Sequence, residues 1–155
     1  MAMSGERSGQ ELVVVGVDGS AESVRALGWA ARYATATGAR VQAVRAWHYP
    51  DVAGQAPVGI APDPVHRETE AQQLAMLDEA ISSAYSRQPG PAAEPRLGYG
   101  HPAQVLIEAS KEADLLVVGS HGHGAFTGML VGSVSIHCVT GAFCPVVVIR
   151  GSDGG

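Results

Sequence analysis

Short apolar runs without polar alternation constrain this chain more than any other feature. LVVVGVD (12–18) and ADLLVVGS (113–120) are continuous and rich in β-branched residues, as in strands covered on both faces. CPVVVIR (144–150) has the same character. Each run is too short to span a bilayer. Between them the apolar period lengthens to that of a helix. Ser20 is placed as an N-cap, Glu22 complements the helix dipole, and Val24, Leu27, Ala31 and Ala34 form one stripe that Gly38 closes.

The rest of the chain repeats this alternation. ARVQAVRAW (39–47) reads as a second strand, with Val41, Ala43 and Arg45 alternating against Gln42, Val44 and Ala46. Leu74, Leu77, Ile81 and Ala84 keep helical spacing within 65–87. AEPRLGYG (93–100) carries the weakest strand signal. His101-Pro102 opens a third helix, with proline at the first helical position. A fourth helix is expected near 132–142. The order βαβαβαβαβ predicts an α/β fold: an open, doubly wound, five-stranded parallel sheet flanked by helices. Ligands in such sheets sit beyond the carboxyl ends of the strands, at the topological switch point. VDGS (17–20) and GSHGHG (119–124) follow the first and fourth strands and should be neighbours there.

The chain's 155 residues suit one domain, placed at 11–150, with small polar tails at 1–10 and 151–155 expected to be disordered. The Pro/Gly-rich stretch 48–64 is expected to be a long loop. A formal net charge of −5 and scattered arginines argue against nucleic acid and against an anionic membrane surface. The first residues lack the apolar segment of a secretory signal, and two cysteines fit a reducing cytoplasm. Cys138 and Cys144 read as small packed hydrophobes rather than a redox pair.

The segment GSHGHGAFTGMLVGSVS (119–135) contains five glycines and no lysine. It is not a P-loop, because no lysine follows a glycine at the required spacing, and GxGxxG fails because Gly128 comes one residue late. What it contains is Gly119-x2-Gly122-x9-Gly132-Ser133. Gly119 ends a strand, Gly122 permits a tight turn, and Gly132-Ser133 stands at a helix N-terminus. Unsatisfied amides and the helix dipole favour an anion there.

In these residues the chain resembles the ATP-binding branch of the universal stress protein family, whose signature is G-x2-G-x9-G-[ST]. VVVGVDGSAESVRAL, GHPAQVLIEAS and ADLLVVGSHGHGAFTGMLVGSVS with CPVVVIR carry the resemblance across nearly the whole chain. It implies ATP held in an extended pose. Asp18 would line the nucleoside pocket, and Ala46 would offer main-chain groups to the adenine edge. Val118 and Gly119 would border nucleoside and phosphates, while Gly122, Gly132, Ser133 and Val134 would hold the phosphates. Backbone dipoles and Mg²⁺ would then meet the phosphate charge in place of a lysine. The family also implies a homodimer through the C-terminal edge strand and a regulatory protein partner. Gly141 stands where many relatives carry a larger residue, which would loosen the end of that helix.

Plainer readings apply to several of these residues. The glycines can be turn residues, and Asp18 can be a turn former in VDGS. His121 and His123 lack further ligands at metal-binding spacing, so no metal site is assigned. His137-Cys138 reads as packing, and Trp29 and Trp47 as core or rim aromatics. No Ser-His-Asp order or GxSxG elbow is present, so no catalytic residue is assigned. The expected function is nucleotide-dependent stress-response regulation rather than fast catalysis. The alternative is a slow ATPase or nucleotidyl transferase on the same fold.

Overall fold

A computed structural model describes residues 9–48, 64–121 and 131–151, the side chains of 64–68 excepted. Its elements run β1 (Leu12–Gly16), α1 (Ala21–Thr37), β2 (Arg40–Trp47), α2 (Pro64–Arg87), β3 (Ala93–Tyr99), α3 (Pro102–Ser110), β4 (Leu115–Gly119), α4 (Ser133–Gly141) and β5 (Val146–Ile149). The five strands form one sheet in the order β3-β2-β1-β4-β5, and every pairing is parallel. The predicted doubly wound α/β sheet is therefore the observed one. The chain leaves β1 towards β2 on one side and reaches β4 on the other, so the switch point lies between β1 and β4.

Local signals explain the element ends. Ser20 caps α1: its hydroxyl accepts the Ser23 amide at 3.2 Å, and Gly38 closes the helix in the left-handed region at φ 78°. Proline opens α3 after His101, as its missing N–H allows. β3 is an edge strand, which accommodates Pro95 within it.

The continuous apolar strands divide their side chains between two cores. Val13, Val15, Val41, Ala43 and Val117 pack with Ala26, Leu27 and Ala30 of α1 and with Leu77, Ala80 and Ala84 of α2. On the other face, Val14, Val44, Leu116 and Val118 pack with Leu106 and Ala109 of α3 and with Cys138 of α4. Trp29 lies against the first core, stacked on Tyr33 at 5.3 Å, and Trp47 meets Tyr99 edge-on at 5.4 Å. One periodicity reading needs correction. Leu74 shares the spacing of Leu77 but is 39% exposed, whereas Leu77 is fully buried. Among the described residues, α2 packs along the strip that meets α1, β2 and β3.

Gly141 is the last residue of α4 and lies against α3. A Cβ there would come within 2.9 Å of Ile107 Cδ1, so the bare backbone permits close packing of α4 on α3. Both cysteines are free thiols, Cys138 fully buried and Cys144 half-buried. Burial raises the Cys138 pKa from 9.0 to about 11. The unfolded thiol ionises first, so its contribution to stability is complete below pH 9 and is lost as pH rises towards 11. Denaturant titrations across that window should show wild-type stability falling more steeply than that of Cys138→Ala.

Candidate functional site

At the switch point, the carboxyl ends of β1 and β4 bring VDGS beside Ser120 and His121, as the topology requires. Asp18 is half-buried, and its Oδ1 accepts the Ser20 amide at 2.9 Å. It therefore does form the turn that leads into α1. Its carboxylate also bears on Arg45, near the end of β2. Burial of that guanidinium pulls its pKa down, and Asp18 opposes the shift. Arg45 Nε donates to Gln73 Oε1 at 2.7 Å, while its Nη1 is buried with no partner among the described residues. Ala46 is half-buried and in register with Gly98 of β3.

Ser120 is the node on the β4 side. Its amide donates to Ile149 O of β5 at 2.8 Å, and its carbonyl accepts the Gly132 amide. The Ser135 hydroxyl donates to Gly119 O, which fixes the first turn of α4 against the end of β4. These bonds satisfy polar groups in a buried place: Ser120 is 1% exposed and Ser135 3%. Val118 points its side chain into the core below, leaving its main chain at the strand end.

α4 then starts at Gly132 with no side-chain cap. The amides of Ser133, Val134 and Ser135 precede the first intrahelical bond, from Ile136 N to Gly132 O at 3.1 Å. Ser133 is exposed and Val134 half-buried at this N-terminus. Such a helix end favours an anion through its amides and its dipole. The Gly132 amide itself is already engaged by Ser120.

The sole lysine of the chain is far from this helix end in the fold. Lys111 follows α3, pairs with Glu108 at 3.0 Å and lies over the Phe143 ring at 5.4 Å. Positive potential at the α4 N-terminus thus has a backbone source rather than a lysine. Gly122 and His123 lie outside the described residues, as does most of the stretch 48–64. Among the described residues, no group of three or more potential ligands is arranged for a metal ion. His137 is exposed and its Nδ1 lies 2.7 Å from Ser133 O, whereas Cys138 is fully buried with a raised pKa. The two do not form a nucleophile pair.

Sequence reading missed three residues of this site: Glu22, Ser120 and Ser135. Ser120 and Ser135 are small hydroxyls in a glycine-rich segment, with no local sign of burial. In the sequence Glu22 signals only the α1 dipole, because Ser120 and His121, whose hydroxyl and amide donate to its carboxylate, lie 98 and 99 residues away.

The order 3-2-1-4-5, with the N-terminus of α4 held at the carboxyl end of β4, defines a doubly wound α/β protein. The profile of the universal stress protein family matches residues 11–150, and the chain belongs to that family. It is 38% identical over 138 residues to a universal stress protein of Mycolicibacterium smegmatis, covering 89% of this chain and 45% of that one. A universal stress protein of Mycobacterium tuberculosis is 37% identical over 140 residues, covering 90% and 45%. The chain thus spans about half the length of the curated relatives it matches. Among solved structures, UspA of Lactobacillus plantarum superposes with a TM-score of 0.72 at 27% identity, over 90% of this chain and 97% of that one. A universal stress protein in complex with cAMP gives 0.63 at 30% identity, over 90% and 95%.

Proposed function

We propose that the chain binds an adenine nucleotide, ATP with Mg²⁺, beyond the ends of β1 and β4, and acts in the cytoplasm as a nucleotide-dependent stress-response regulator. The observation that carries this reading is the uncapped N-terminus of α4, tied to the end of β4 through Ser120 and Ser135. The cAMP complex of a relative 30% identical to this chain supports adenine nucleotides as the ligand class. In this reading Asp18 and the Ala46 main chain contact the nucleoside, and Val118 and Gly119 border it. Gly122, Gly132, Ser133 and Val134 cradle the phosphates. The exposed Ser133 hydroxyl is available to phosphate or Mg²⁺.

Calorimetric titration tests the reading. MgATP should bind more tightly than MgGTP, and removing Mg²⁺ should weaken ATP. At a hundredfold excess over Kd, a ligand stabilises a protein by about 2.7 kcal/mol, so the melting temperature should rise by several degrees. No heat and no thermal shift at millimolar MgATP would overturn the proposal. Release of phosphate near 10 s⁻¹, a median enzyme rate, would favour the enzyme reading, provided a Gly132 variant lost that activity.

The same reading includes a homodimer formed through β5. This strand is at the sheet edge, and its four residues are only half-buried. Beside it is an apolar groove of about 530 Å³, lined by Val131, Ile136, Val139, Thr140, Val148 and Arg150. Ile136 and Val139 are 49% and 56% exposed. A second copy of the strand and groove would cover both the open edge and the apolar side chains. Light scattering should give twice the chain mass, and Val139→Asp should shift the protein to monomer. A monomeric mass for the wild-type chain at working concentration would refute the assembly.

A further inference from the structure

Glu22 is held more firmly than an exposed first-turn glutamate needs to be. Its side chain is 20% exposed, and its Oε2 accepts both the Ser120 hydroxyl at 3.0 Å and the His121 amide. Its Oε1 faces His121 Nδ1 at 3.4 Å. Gly119 makes this approach possible, because a Cβ there would lie 3.0 Å from Glu22 Cβ and 3.2 Å from its carbonyl carbon. Gly151, just after β5, passes equally close: a Cβ there would lie 2.9 Å from Glu22 Oε1. One carboxylate therefore joins α1 to the end of β4 and lies under the segment that leaves β5.

The contact has a direct route to the α4 N-terminus. The Ser120 carbonyl holds the Gly132 amide, so what fixes Ser120 also fixes the residue on which α4 begins. α1 lies on one face of the sheet and α4 on the other. Glu22 thus braces the site from behind while its charge is met by two donors.

We propose that Glu22 is a positioning residue for the nucleotide site. By holding Ser120 and His121, it keeps Gly132 and the first amides of α4 arranged for phosphate before the ligand arrives. The proposal rests on the nucleotide reading above. Its physical basis is preorganisation: donors already fixed lose less freedom on binding and yield more affinity.

The test compares the wild-type chain with Glu22→Ala and Glu22→Gln. Alanine removes the acceptor, and affinity for MgATP should fall roughly tenfold, the scale of one hydrogen bond to a charged group. Its melting temperature should stay within a few degrees of wild type. Glutamine keeps an acceptor oxygen for the His121 amide and the Ser120 hydroxyl, so it should restore most of the affinity. Without nucleotide, hydrogen exchange at the His121 and Gly132 amides should quicken in Glu22→Ala while that of Val14 in β1 does not. Native affinity in Glu22→Ala, unchanged exchange at those amides, or a glutamine variant as weak as alanine would each overturn the positioning role. A wild-type chain that binds no adenine nucleotide would overturn the underlying reading, and the wild-type titration alone decides that.

Discussion

Gly132→Val should abolish ATP binding while leaving the fold in place. The Gly132 backbone, at φ −77° and ψ 166°, is open to any residue, so valine is not excluded by its dihedral angles. Nor does valine remove the amide that bonds to Ser120 O. The added isopropyl group instead needs space beside the amides of Ser133 and Val134, where the phosphates are proposed to lie. Hydrogen bonds to charged groups contribute about 1.5–3 kcal/mol each, so displacing two should cost at least about a hundredfold in affinity. Losing the N-cap glycine should lower stability by about 1 kcal/mol, and crowding at this buried position by about 1–3 kcal/mol more, so the variant's own melting curve is read beside its loss of binding. Ser133→Ala should be milder, since it removes one hydroxyl and keeps the helix amides. Titration calorimetry with circular dichroism and melting curves separates these effects. A normally folded Gly132→Val that binds ATP with native affinity would show that the cradle lies elsewhere.

The largest stability effect is expected in α2, where two leucines three residues apart should behave differently. Leu77 is fully buried among the side chains of the first core. Leu77→Ala leaves a cavity and should cost about 2–5 kcal/mol. For a domain near this size that lowers the melting temperature by roughly 8–20 °C. Leu74 is 39% exposed, and Leu74→Ala should cost under about 1 kcal/mol. Denaturant unfolding with unchanged slopes would measure both directly. Equal losses at the two positions would contradict the placement of α2 on α1 and the sheet.

Much of the fold was legible because its signals are local. Continuous apolar runs mark the parallel strands, since a strand buried on both faces has no polar side to show. Ser20, Gly38 and Pro102 mark helix ends through their own backbone chemistry. Even β3, the faintest strand, follows from chain order once the others alternate. The candidate crevice was legible in part for the same reason: strand ends and a glycine–serine step before a helix are sequence features.

The sequence by itself determined the alternation of elements, the helix caps and the position of α4's N-terminus. Only the tertiary structure decided which helix faces are covered, and so why Leu74 and Leu77 differ despite their shared period. It also decided that Gly141 admits Ile107 and that Ser120 joins β5 to Gly132. The pairing of Glu22 with Ser120 and His121 belongs to the same group. Each of these contacts joins residues far apart in the chain or depends on how closely two elements approach. Local propensity and periodicity are set by neighbours along the backbone, whereas these contacts exist only once the helices and strands pack against one another.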